Sequence, residues 1–305
     1  MTAIATPPVG EVTPAPKGAP GKEGGAGGSA GWFTYAALGF VVLLWVLPTL
    51  GIILTSFRSR DDAASGGWWE LFLKPAGFGD LTFDNYQRAI QGTNLGEGFI
   101  NSLAIALPAT FIPILVAAFA AYAFTFMKFP GRDVLFVLIV GMLVVPNFVS
   151  FVPMLKIYRD LGMGGTFPAV WLFHVGFGMS LAIFMIRNYM ATLPITIIES
   201  AKIDGASHFQ TFFRLVLPMS VPVLASFAIF QFLWVWNDLL VALVFLGPGD
   251  KAPMTVSISQ LLGQQGQNQE LVTASGMFSM LLPIIVFLSL QRFFVRGLTA
   301  GAVKG

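Results

Sequence analysis

Residues 199–218 read ESAKIDGASHFQTFFRLVLP, and they decide the fold because they do not match their surroundings. Glu199, Lys202, Asp204, His208 and Arg214 fall in one short segment with Gly205 near its middle, while long uncharged runs lie on either side. A charged, amphipathic insert between apolar runs marks a place where a chain leaves a membrane, turns in water and returns.

Composition agrees. The 305 residues are 55% hydrophobic and 10% charged, whereas a soluble domain carries about 25% charged residues. A membrane-spanning helix needs roughly 20 predominantly apolar residues. Six runs qualify: 32–57, 99–127, 134–155, 161–186, 215–247 and 271–290. The expected fold is an all-α integral membrane protein with six transmembrane helices over residues 32–290. Prolines inside the runs, among them Pro48, Pro108, Pro113, Pro146, Pro222 and Pro283, should kink the helices. A bundle tolerates this where neighbouring helices satisfy the freed carbonyls.

Several function classes drop out. A net charge of +2 gives no reason to expect a nucleic-acid partner. With no cysteine, disulfides, thiolate metal sites and cysteine nucleophiles are excluded. Two histidines leave little material for a metal site. No G-x-x-x-x-G-K-[ST] occurs, since Gly21-Lys22 has Pro16 where the first glycine belongs and Glu23 in the last position. The chain is therefore expected to bind no ATP. No G-x-S-x-G, H-E-x-x-H or paired intramembrane carboxylates appear, so enzymatic readings are poor.

Residues 1–31, rich in Pro, Gly, Ala and Ser and without periodicity, are expected to form a disordered tail. They lack the basic start and short apolar core of a signal peptide. Six spans put both termini on one side. Lys and Arg are in excess on segments that would then be cytoplasmic, including Lys128, Arg132, Arg187, Arg292 and Arg296, which places both termini and the 199–218 segment inside.

Local signals give that segment a shape. Pro194 stops the preceding span. Thr196 through Glu199 fits a capping box, and so does Ser207 through Gln210. Gly205 suits a left-handed helix end. The pattern predicts a helix, a sharp turn and a second helix. Phe209, Phe212, Phe213 and Val216 crowd one side of that second helix. A plain interfacial helix would also be amphipathic. The small residues Ser200, Ala201, Gly205 and Ala206 instead leave an elbow of little bulk, suited to a cleft on another protein.

Glu199-Ser200-Ala201, three residues, Gly205, nine residues, then Leu215-Val216-Leu217-Pro218 resembles the cytoplasmic "EAA" loop of ABC-importer permeases, with Ser200 and Leu215 as mild departures. The chain end, Gln291 to Gly305, resembles the tail of maltose-type carbohydrate permeases of the shorter, G-type kind. The resemblance covers about residues 32–305 and implies a type I ABC-importer permease fold. It makes 195–218 a coupling loop in which Glu199, Ser200, Ala201, Asp204, Gly205 and Ala206 dock on an ATPase subunit. It gives the tail 291–305, through Thr299, Ala300, Gly301 and Lys304, a contact between two ATPase subunits. It also implies a second permease, an extracytoplasmic sugar-binding protein, and ATP with Mg held only by the ATPase partners. The implied substrate is an oligosaccharide or α-glucoside such as maltose or trehalose.

Within span five, Gln231, Trp234, Asn237 and Asp238 are candidates for the substrate path. An intramembrane acid is a functional hypothesis by default, and aromatic faces beside amides suit sugars. Against this, Asp238 lies some 20 residues past Pro218, roughly 30 Å along a straight helix, which would carry it to the outer interface. His174 is expected to be a packed helix residue, and Asn101-Ser102 to join helices. Loop 58–98 is either a docking surface for a binding protein or a cover for the bundle. Three rivals remain: an ion-coupled secondary transporter, a non-transporting scaffold, and a permease of the same family for a polyol or glycerol phosphate.

Overall fold

The computed structural model describes residues 31–261 and 268–299, which form fifteen α-helices, three 3₁₀ segments and one π-helical turn, with no strand among the described residues. The expected tail over residues 1–31 lies outside the described residues save for Gly31. The chain divides into two compact units at Pro48. Helix α1 (Trp32–Phe57) runs through the boundary and contains no charged residue. The second unit carries everything from Thr49 onward.

After α1 come three short helices, α2 (Arg60–Ser65), α3 (Glu70–Leu73) and α4 (Asp84–Gln91), and then the long α5 (Leu95–Phe126). Next are α6 (Arg132–Gly141), α7 (Phe151–Asp160) and α8 (Phe167–Met190). The 199–218 region holds α9 (Ile195–Ile203), α10 (His208–Thr211), the π-helical turn Phe212–Val216 and α11 (Leu217–Met219). The chain then continues through α12 (Val221–Trp236), α13 (Leu240–Phe245), α14 (Met254–Leu261) and α15 (Gln269–Thr299).

Among the described residues, four helices (α1, α5, α8 and the α15 stretch to Phe293) are long and apolar enough to cross a membrane, and counting each of two bent helix pairs as one broken span brings the number to six. Spans three and five are these broken pairs, not straight rods. Span three bends by 95° between Arg132–Val144 and Asn147–Asp160, and span five by 70° between His208–Met219 and Val221–Trp236. Proline explains both breaks: Pro146 and Pro222 each remove an N–H at the break and stiffen its backbone. The last helix passes the expected end of span six at 290 and continues to Thr299.

The three inner helices are α5, α8 and α12. The first half of α5 packs with Val170 and Phe173 of α8 and with Phe232, Val235 and Trp236 of α12. Its second half packs with Ile183, Ile186 and Met190 and with Val223 and Phe227. So α5 and α8 run parallel and α12 runs against them. Trp236 reaches Ser279, and Ser226 reaches Phe293, so α15 also runs against α12. This is the alternation that six spans in series require. Alanines 106, 109, 117, 118 and 121 of α5 are all buried, and such small residues let membrane helices approach closely.

Prolines inside these helices free specific carbonyls, and side chains from neighbouring helices take them up. Pro108 leaves the Ala104 carbonyl without its amide partner, and the Trp171 indole donates to it at 2.8 Å. Pro113 frees Ala109, which accepts from the Gln231 amide at 3.1 Å. Pro283 frees Ser279, which accepts from the Trp236 indole at 3.1 Å. Asn101 and Ser102 join elements as expected: Asn101 donates to the carbonyls of Asp250 and Ala252, and Ser102 accepts from the Met254 amide.

Candidate functional site

Two regions concentrate the candidate residues, an elbow at one end of the bundle and a cavity beside the α12–α13 break.

The elbow is helix, turn, helix. Helix α9 ends in a Schellman motif: the Gly205 amide donates to the Lys202 carbonyl at 3.1 Å and the Ala206 amide to the Ala201 carbonyl at 2.9 Å. Gly205 sits at φ +78°, where a Cβ is unfavourable. The next helix opens on the expected capping box, with the Ser207 amide donating to Gln210 Oε1 at 2.9 Å and the Gln210 amide to Ser207 Oγ at 3.3 Å. The other expected box does not form. Helix α9 begins at Ile195 with Pro194 as its N-cap and no side-chain cap. Thr196 is thus already inside the helix, too late to cap it.

The elbow has two sides. Ile198 and Ala201 are buried on the bundle side, Ala201 at 8% exposure. Glu199, Ser200, Lys202, Asp204 and Gly205 are exposed, and Ala206 is half-buried. Ile203, which sequence reasoning passed over, is 87% exposed. The second helix is moored by Phe212, which stacks on Phe119 with ring centres 4.6 Å apart, and by His208, whose Nδ1 lies 3.0 Å from the Tyr122 hydroxyl. Of the four apolar residues expected to crowd one side, Phe212 and Val216 are buried while Phe209 and Phe213 are exposed. The π-helical turn adds a residue to this stretch and splits the face.

Thr299 closes α15, and Ala300, Gly301 and Lys304 lie outside the described residues. Because Ser226 of α12 reaches Phe293 of α15, this last helix runs toward the elbow end of the bundle.

The cavity has a volume of about 280 Å³, and three of the four substrate-path candidates line it: Gln231, Trp234 and Asp238. Asn237 does not. It is exposed, and its amide donates back to the Leu233 carbonyl at 2.8 Å. Because the chain bends at Ser220 and breaks again after Trp236, a straight-helix count does not fix the depth of Asp238. Its Oδ2 accepts from the amides of Val241 at 2.8 Å and Ala242 at 3.3 Å, and so holds the start of α13. His174 lies beside it, with Nε2 4.0 Å from Asp238 Oδ2. His174 is buried as expected, but it also faces the cavity, which its spacing in α8 did not reveal. Asn147 and Phe148, from the break in span three, also line it; no sequence signal linked them to span five. Gly178 makes room for Gln231, since a Cβ there would stand 2.7 Å from both atoms of its amide.

Residues 113–300 match the family described as the binding-protein-dependent transport system inner membrane component. The chain is 50% identical to the osmoprotective compounds uptake permease protein GgtD of Synechocystis sp., covering 87% of this chain and 89% of that one. It is 38% identical to the alpha-glucoside transport system permease protein AglG of Rhizobium meliloti, covering 90% and 97%. It is 34% identical to the trehalose transport system permease protein SugB of Mycobacterium tuberculosis, covering 85% and 93%. Its fold resembles a chain in the crystal structure of a bacterial alginate ABC transporter in complex with an alginate pentasaccharide-bound periplasmic protein. That likeness has a TM-score of 0.61 and 15% identity, covering 87% of this chain and 94% of that one.

Proposed function

The chain belongs to the family of binding-protein-dependent transport system inner membrane components, and from that membership we propose that it is a permease subunit of an ATP-driven sugar importer. Its substrate class is neutral glucosides, such as maltose, trehalose and related oligosaccharides, in line with the relatives named for alpha-glucosides and trehalose. It forms half of a translocation path with a second permease. A dimer of ATPase subunits supplies ATP hydrolysis with Mg, and an extracytoplasmic binding protein delivers the sugar. Both chain termini and the elbow face the cytoplasm.

The observation that carries this reading is the elbow. A Schellman turn and a capping box lock two short helices back to back, with a buried face on the bundle and an exposed, low-bulk face around Glu199, Ser200, Asp204 and Gly205. Such a part transmits displacement: the exposed face sits in an ATPase cleft, Ala201 and Ala206 keep the turn tight behind it, and Phe212 and Ile198 pass the movement to α5 and α8. Thr299, Ala300, Gly301 and Lys304 are assigned an ATPase contact by resemblance to carbohydrate permeases. Gln231, Trp234 and Asp238 line the sugar's path.

The test is co-purification of the tagged chain from its native membrane in mild detergent, followed by uptake assays. A second permease and an active ATPase are expected in the eluate. Gly205→Trp should abolish uptake while the chain still inserts. Uptake that runs without ATP, or that is untouched by this substitution, would overturn the coupling role.

A further inference from the structure

Coupling makes no use of the cavity, and its chemistry narrows what it can hold. At about 280 Å³, it falls just below the range of about 300–1,000 Å³ for small-molecule sites, which is room for one sugar ring and not for a chain. Phe148, Phe177 and Trp234 supply aromatic walls. Among the described residues Asp238 has only one oxygen engaged: Oδ2 holds the start of α13 and faces His174, and no hydrogen bond engages Oδ1. Gln231 is likewise half used. Its Nε2 donates to the carbonyls of Ala109 and His174, and Oε1 has no hydrogen-bond partner among the described residues.

The lining therefore includes two residues with an acceptor left over, Asp238 (Oδ1) and Gln231 (Oε1), each anchored through its other polar atom. Asn147 adds an amide able to donate and accept. Hydroxyl groups of a pyranose donate to such acceptors, and its CH faces pack on aromatic rings. Among the described residues no Lys or Arg lines the cavity, so no lysine or arginine offsets the Asp238 carboxylate toward an anionic ligand, and like charges in a site of low dielectric repel strongly. A quaternary ammonium also suits aromatic rings beside a carboxylate. It would leave the Asn147 amide and Gln231 Oε1 without partners, which favours the sugar.

We infer that this chain itself binds one non-ionic pyranose unit of the transported solute, with Asp238 Oδ1 as hydroxyl acceptor, and that this carboxylate turns away phosphorylated sugars. The inference rests on the importer reading.

The experiment is equilibrium binding of radiolabelled maltose and trehalose to the purified permease–ATPase complex, beside uptake of the same sugars by the complete importer. Two variants are compared with the wild type. Asp238→Asn keeps an acceptor for the Val241 and Ala242 amides but loses the charge. Val145→Trp adds bulk to the cavity from a half-exposed loop position, so it decides the matter if Asp238→Asn fails to assemble.

The wild type should bind the sugar it transports, each variant should bind it about tenfold more weakly, and the 6-phosphate of that sugar should not displace it. Wild-type affinity in the variants, displacement by the 6-phosphate, displacement by choline, or transport of a sugar without binding to the wild-type complex would each overturn the inference. A complete importer that carries neither sugar would instead defeat the sugar reading of its function.

Discussion

The Gln231 amide donates at 3.1 Å to the carbonyl of Ala109, the group that Pro113 deprives of its helical partner. One side chain of α12 thus closes a gap that a proline opens in α5, and the same amide lies 3.3 Å from the His174 carbonyl of α8. The three inner helices meet at this residue.

Replacing Gln231 with Leu should lower stability by about 1 kcal/mol, the scale of interhelical hydrogen bonds in membranes. The loss should shrink when Pro113→Ala is present as well, because the alanine amide then serves the Ala109 carbonyl. Thermal unfolding of the four proteins of this cycle in detergent measures the coupling; additive losses would mean that the bond contributes nothing.

Gly178→Ala should disturb the same point from the other side. Its Cβ would stand 2.7 Å from both amide atoms of Gln231, a side chain held by two carbonyls. Overpacking of this kind costs about 1–3 kcal/mol. A melting temperature equal to that of the wild type would show that Gln231 is freer than its bonds suggest.

At Gly205 the order of substitutions is diagnostic. With φ at +78°, Asn should be tolerated best, Ala should cost about 1 kcal/mol and a β-branched residue more. Uptake driven by ATP should follow the order Gly, Asn, Ala, Val. If bulk at the proposed ATPase contact governs instead, Ala will outperform Asn, and the left-handed turn is then not what coupling needs.

Tyr122→Phe removes the hydroxyl that lies 3.0 Å from His208 Nδ1 and leaves the ring packing with Phe212 intact. Loss of one such bond amounts to about 0.5–1.5 kcal/mol, too little to unfold the bundle. The expected result is a lower maximal uptake rate at unchanged apparent sugar affinity, since the bond moors the elbow and neither of its residues lines the cavity. A change in affinity with the rate preserved would contradict this.

The elbow was legible because its signals are local. Gly205 and the Ser207–Gln210 pair act within one helical turn, where spacing along the chain is spacing in space. Even there the chain misled at Thr196: the helix starts two residues early, and Pro194 takes the capping position. The cavity was legible only in part. Trp234 and Asp238 were visible as polar and aromatic intruders in an apolar run, but Asn237 beside them turns away, since a break in the helix redirects neighbours separately. His174 and Asn147 gave no sign, because nothing in their own helices ties them to span five.

The sequence by itself determined six apolar runs, the charged elbow between the fourth and fifth, and the positions of the prolines that must bend the helices, because these follow from desolvation and backbone geometry within each segment. Tertiary structure decided the rest. It chose which donors meet the freed carbonyls (Trp171 for Ala104, Gln231 for Ala109, Trp236 for Ser279) and it set Asp238 beside His174. These pairings depend on the order and rotation of packed helices. Between uniformly apolar surfaces, those are fixed only when small residues, bent backbones and a few polar groups are fitted together at once.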